Sequence, residues 1–185
     1  GAEVDVDEDN GFRPPGLVGL STNVINTGSQ YLLDYGSSYG SGTAVHRVTL
    51  YRHSSGALVF TTGSYQWSWG LDANHDRTSF GSTTNLAMQQ ATVNLFADMG
   101  LQPATLQSGL VAATASTDAT PPTSTITSPA AGATLTPGTT ITISGTATDV
   151  GGVVGGVEVS TDGGTTWHPA TGRASWTYAW TVTGS

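Results

Sequence analysis

The 185-residue chain sets thirteen acidic side chains against five basic ones, all arginine, for a net charge of −8. That balance argues against nucleic acid and anionic membrane surfaces as partners, and no apolar run nears the ~20 residues that cross a bilayer. With no cysteine there is no disulfide or thiolate chemistry, and a Thr/Ser-rich chain without lysine suits the outside of a bacterium.

In chain order, the acidic run Asp5-Val-Asp-Glu-Asp-Asn-Gly11 comes first. It has the alternation of a calcium loop, but Asn10 stands where such a loop needs glycine and Gly16 where it needs glutamate. Weak surface calcium binding is the most it offers, and a solvated acidic terminus is the simpler reading. The segment has neither the basic nor the apolar region of a signal peptide, so an exported form is expected to have shed one. Gly36-Ser-Ser-Tyr-Gly-Ser-Gly42 follows no strand-to-helix pattern that would cradle phosphate and reads as a flexible loop. Tyr31, Tyr35 and Tyr39 recur every four residues, yet the glycines between them oppose a helical stripe.

Val45–Tyr51 and Ala57–Thr62 read as strands, the second with an unbroken apolar stretch that fits cover on both faces. Next comes Tyr65-Gln-Trp-Ser-Trp-Gly-Leu-Asp-Ala-Asn-His-Asp76. In an extended segment Trp67 and Trp69 face one way and can stack on sugar rings, although strand tryptophans more often fill a core or line a domain junction. Asp72, Asn74, His75 and Asp76 offer oxygen and nitrogen donors to a divalent ion, and the same residues serve as turn chemistry after Gly70. Trp67, Trp69, Asp72 and His75 are the candidate ligand-binding residues, with no catalytic residue assigned. His46, His53 and His168 have no acidic or nucleophilic neighbour at motif spacing.

The spacing of Met88, Ala91, Leu95 and Met99, with Val93 and Phe96 alongside, predicts a helix over 83–99. Ser82 or Thr83 would cap it, and Gly100 with Leu101 would stop it. Ala112–Ser124, small and hydroxylated and containing a Pro-Pro pair, reads as a linker. Beyond it the pattern is all β. Ile141–Ala147 alternates apolar with hydroxyl, Val157 and Val159 alternate with Glu158 and Ser160, Asp162-Gly-Gly signals a tight turn, and Trp176, Tyr178, Trp180 and Val182 share one strand face.

Pro129-Ala-Ala-Gly-Ala-Thr-Leu, Gly145-Thr-Ala-Thr-Asp, Val157–Trp167 and Trp176-Thr-Tyr-Ala-Trp180 together resemble a bacterial immunoglobulin-like module. The strand-turn-Trp unit is similar to that of the dimerisation domain of sulfite-oxidase-type enzymes. The resemblance implies a spacer or assembly role. Such sandwiches have about seven strands, and only four or five are countable, so the last ones are expected to be missing.

A second resemblance rests on Gly11-Phe-Arg-Pro-Pro-Gly-Leu17, Leu50–Phe60, Gln66-Trp-Ser-Trp-Gly-Leu-Asp72 and Gln89–Met99. These look like the C-terminal end of the large-subunit domain of N,N-dimethylformamidase, itself similar to glutamine-amidotransferase folds. The resemblance implies iron held by tyrosine and glutamate. No tyrosine matches those ligands, and Glu3 and Glu8 are the only glutamates before the linker. Most of such a domain would lie upstream of Gly1.

The reading is therefore an α/β or α+β segment with one main helix over 1–110, a linker over 111–124, and an incomplete all-β immunoglobulin-like sandwich over 125–185. Two functions follow. The chain is part of an exported bacterial multidomain formamidase-like protein, with a spacer and no complete active site of its own. Alternatively, it is a structural subunit of an extracellular filament, completed by strands of neighbouring chains. Its partners are expected to be other copies or other domains of the same protein.

Overall fold

In the computed structural model, which describes residues 4–74 and 83–184, the chain divides into two units, each built from three separate stretches. The strands are β1 (Val18–Gly19), β2 (Asn23–Leu33), β3 (Ser38–His46), β4 (Thr49–Arg52), β5 (Leu58–Thr61), β6 (Thr123–Ser128), β7 (Thr140–Thr148), β8 (Glu158–Val159), β9 (His168–Pro169), β10 (Thr171–Gly172) and β11 (Ser175–Thr181). Two α-helices, α1 (Trp67–Leu71) and α2 (Leu86–Asp98), lie between β5 and β6. The chain is thus β-rich with one main helix.

The first unit takes Gly1–Asp7, Ser21–Thr49 and Phe60–Thr117. β2 and β3 form an antiparallel hairpin that pairs Asn23 with His46 at one end and Leu33 with Ser38 at the other, its register shifting between Asn26 and Gly28 and again between Gly28 and Tyr31. The glycine-serine segment expected as a flexible loop is therefore strand from Ser38 onward. Its glycines mark close approach instead: a Cβ on Gly40 would sit 2.7 Å from Leu33 Cδ1, and one on Gly42 would sit 2.6 Å from Tyr31 Cδ2. At the tip, Asp34 and Tyr35 take left-handed backbone (φ 49° and 55°). The strand expected over Val45–Tyr51 breaks at Arg47-Val48, where Val48 N–H turns to Ser21 Oγ at 3.3 Å. The acidic terminus is engaged rather than simply solvated. Asp5 N–H donates to Gly63 O at 2.8 Å, Val6 bridges His46, and Asp7 meets Arg47 at 3.5 Å.

α2 starts at Asn85, whose Oδ1 accepts from Ala87 and Met88 N–H at 3.0 and 3.1 Å. Asn85 thus caps in place of Thr83, while Ser82 lies outside the described residues. At the other end Leu101 N–H reaches back to Phe96 O at 2.8 Å with Gly100 left-handed (φ 76°), the expected stop. The buried stripe is Gln89, Val93 and Ala97; Phe96 and Met99, expected inside, are exposed. α1 packs on α2 at Gly70, whose missing side chain leaves room for the Met88 thioether.

The second unit takes Glu8–Leu20, Leu50–Val59 and Asp118–Ser185. β1, β4 and β5 form a three-stranded sheet in that order, with β4 and β5 joined by a turn in which Gly56 N–H donates to His53 O at 2.8 Å. The remaining strands build the immunoglobulin-like sandwich, a four-stranded sheet ordered β10-β11-β7-β6 and a two-stranded β8-β9 pair. Its core is Ile143, Ala147, Val154, Val159 and Trp176, with Tyr178 and Trp180 packed against it. The alternations read along β7 and β11 place Ile143, Ala147 and Trp176 inside. Trp176 pairs with Gly145 across the sheet, and its indole occupies the space a Gly145 side chain would need. Six strands of this sandwich are present among the described residues, and β6 begins at Thr123, inside the stretch read as linker.

Candidate functional site

The Trp-Ser-Trp element is helical, which corrects the extended reading and its consequence. Consecutive helical residues are about 100° apart, so Trp67 and Trp69, two positions apart, point to nearly opposite sides and form no flat aromatic platform. The Trp67 ring meets Phe60 edge-on, with centroids 5.6 Å apart and an interplanar angle of 76°. Its Nε1–H donates to Thr92 Oγ1 at 3.2 Å, and that hydroxyl donates to Met88 O at 2.9 Å. Trp67 is therefore a packing residue between β5 and α2. Trp69 is half-buried.

Asp72 follows α1 and is exposed, its Oδ1 accepting Asn74 N–H at 2.6 Å in a local turn. His75 and Asp76 lie outside the described residues. Beside this turn, Gln89 reaches out of α2 to donate to Leu71 O at 2.8 Å and Gln107 Oε1 at 2.9 Å. Sequence reading missed Gln89. The signal was an amide four residues before Val93 and eight before Ala97, on the stripe that turned out to be buried.

Sequence reading also missed a chain of polar groups in the second unit. His168 Nδ1 donates to both oxygens of Asp9, at 3.0 and 2.9 Å, and its ring stacks on Tyr178 with centroids 5.7 Å apart. Its Nε2 lies 3.3 Å from Thr166 Oγ1, which gives its own proton to Asp162 Oδ2 at 2.6 Å. The hydroxyl and backbone N–H of Thr166, then the Ser160 hydroxyl, hold the Asp162 carboxyl well below the usual aspartate range. Burial, and then the charge of Asp9, push the Tyr178 phenol above its ordinary value. The cluster has the look of an acid-base-hydroxyl relay but is not wired as one. The Thr166 proton goes to the Asp162 carboxylate at 2.6 Å, the shorter of its two contacts, rather than to His168 Nε2 at 3.3 Å. Asp9 and His168 are 159 residues apart, and no local motif links them.

Asp118 and Asp149 turn carboxylates toward Gly152, where a Cβ would come 2.6 Å from Asp149 Oδ2 and closer still to Asp118 Oδ2. Among the described residues no three His, Cys, Asp or Glu side chains gather in a way that holds a metal ion. Asp7 and Asp9 of the calcium-like run go to different partners, Arg47 and His168. The iron implied by the formamidase resemblance does not fit the residues described. Glu8 is exposed, Glu158 faces Arg13, and Tyr35 projects fully into solvent at the hairpin tip.

Residues 1–79 match a family described as N,N-dimethylformamidase beta subunit-like, C-terminal, and residues 122–185 match the bacterial Ig domain family. Both resemblances are found in this chain. The formamidase-like match contains the Trp-Ser-Trp-Gly-Leu element and ends before α2; the Ig match contains the whole Trp176 core. No curated protein and no solved structure matches the chain. No helix among the described residues is long and apolar enough to cross a membrane.

Proposed function

We propose that the chain belongs to an exported, multidomain bacterial formamidase-like protein, in which its immunoglobulin-like sandwich acts as an extracellular spacer. In this reading amide hydrolysis needs residues from outside the chain. The observation that carries it is the pairing in one polypeptide of a formamidase-like segment with a bacterial Ig domain. The packing role of Trp67 and the committed Thr166 proton support it, since neither leaves a nucleophile or a stacking platform. Trp69, Asp72 and His75 are retained as residues near a ligand site formed with another part of the protein. Other domains of the same protein are the proposed partners, and neither nucleic acid nor membrane is among them. The test is formate release from N,N-dimethylformamide and simpler formamides by the purified chain. No turnover above buffer is expected, and steady turnover abolished by His75→Ala would overturn the reading.

One observation favours a second reading, a structural subunit that adds strands from its neighbours. β6 is an edge of its sheet, all six of its residues are exposed, and Ile126 is 58% exposed. An open strand edge is a template for a further strand. Light-scattering mass of the purified chain separates the two readings. A monomer supports the spacer, and particles many times heavier support the subunit.

A further inference from the structure

Residues Glu8–Leu20 lie inside the formamidase-like match, yet they fold with Asp118–Ser185. Four sets of contacts hold them there. Arg13 and Glu158 face each other at 3.7 Å, with side chains only 4% and 16% exposed. At that length the contact is ionic rather than hydrogen-bonded, and in so little water the loss of either charge strands the other. Glu158 uses its second oxygen as well, accepting Gly16 N–H at 2.7 Å. Nine residues into the chain, Asp9 takes both its oxygens to His168 Nδ1. Val18 then seats on Gly155 and Gly156, where added Cβ atoms would lie 2.9 and 3.2 Å from its Cγ1.

The contacts complement one another in kind. One is an ion pair, one a carboxylate–imidazole hydrogen bond, one uses a backbone donor and one is a side chain set against bare glycine backbone. Arg13 also donates to Leu17 O at 2.8 Å, which bends the Arg-Pro-Pro-Gly stretch so that Gly16 N–H and Arg13 reach the same carboxylate. The prolines limit the conformations the free segment must give up on docking.

We infer that residues 9–19 are a clasp, an internal segment that fastens the formamidase-like stretch onto the immunoglobulin-like sandwich by recognition of Glu158, His168 and the Gly155-Gly156 seat. This goes beyond the spacer reading, in which the sandwich hangs only on the 111–124 stretch read as a linker. The sandwich is fastened at a second point, distant in sequence, and a break in the linker does not free it.

The experiment uses the full chain with a site-specific protease sequence inserted between Thr114 and Ala115, both exposed. After cutting, the two fragments are expected to elute together at the mass of the uncut chain; fragments that separate at once overturn the clasp. Glu158→Gln, which keeps shape and removes charge, is expected to speed separation of the cut fragments by about tenfold or more. Val18→Ala acts in the same direction without altering any charge, so it carries the test if Glu158→Gln fails to fold. Cut fragments that stay together equally well in both variants are held by other contacts, such as those of β4 and β5, and that result also overturns the proposal. Near-UV circular dichroism of each uncut variant confirms that the Trp176 core is intact before cutting.

Discussion

Single residues in this chain are constrained by what lies opposite them more than by their own propensities. Gly145 sits in the middle of β7, where glycine is a poor choice on propensity alone. It is there because Trp176 crosses the sheet at that point. Gly145→Ala is expected to lose about 2 kcal/mol through overpacking, read as a lowered urea midpoint with an unchanged slope. Asp162 is constrained by its donors. Hydrogen bonds from Thr166, Ser160 and Thr165 favour its ionised form, so its folded-state value lies below the ordinary 3.8. The stabilisation is complete above that ordinary value and is lost as pH falls through the lowered one. Asp162→Asn should therefore melt at a lower temperature at neutral pH and show a shallower fall in melting temperature below about pH 4. Equal acid slopes in the two proteins would remove the assigned role. The Asp162 turn was legible from Asp-Gly-Gly, whereas the Asp9–His168 contact was not, because no pattern in a single sequence joins positions that far apart.

At the scale of elements, the periodic segments came through and the irregular ones misled. α2, β7 and β11 were predicted from 3.6- and 2-residue spacing and are present, because burial of one face imposes that period. The face of α2 was misjudged. Its apolar residues wrap more than one side, and the side that is buried carries Gln89, Val93 and Ala97. The capping residue was likewise misjudged, since Asn85 rather than Thr83 accepts the first-turn N–H groups. Asn85→Ala should cost about 1 kcal/mol, while Thr83→Ala should cost close to nothing, by thermal melting of the two variants side by side. The β2–β3 hairpin was missed because glycine and serine lower strand propensity. In the structure those glycines make room for Tyr31 and Leu33 from the opposite strand. Its tip holds a tyrosine in left-handed backbone with its ring wholly in solvent. Tyr35→Gly removes that strain without removing a contact and should stabilise the hairpin by about 1 kcal/mol, seen as slower amide exchange along β2 and β3.

Over the whole molecule, two family resemblances were legible because each rests on an unusual local string: Trp-Ser-Trp-Gly-Leu for one, strand-turn-Trp for the other. The division into units was less legible. A linker is visible as composition, but Glu8–Leu20 and Leu50–Val59 join the second unit through contacts that composition does not reveal. The same limit applies to association. β6 carries an exposed isoleucine on an open edge, and the chain has no lysine to blunt it, lysine being a common guard on such edges. With thirteen acids against five bases, long-range repulsion opposes association and is screened as salt rises. If β6 is a docking edge, association should strengthen from low salt to about 0.15 M, where the Debye length falls to about 8 Å. Ile126→Lys should abolish it at every salt concentration while leaving the melting temperature of the monomer unchanged. Sedimentation velocity across a salt series on both proteins decides the matter. Association that persists in Ile126→Lys would move the contact away from β6, and a wild-type monomer at all salts would leave the spacer reading as the one that stands.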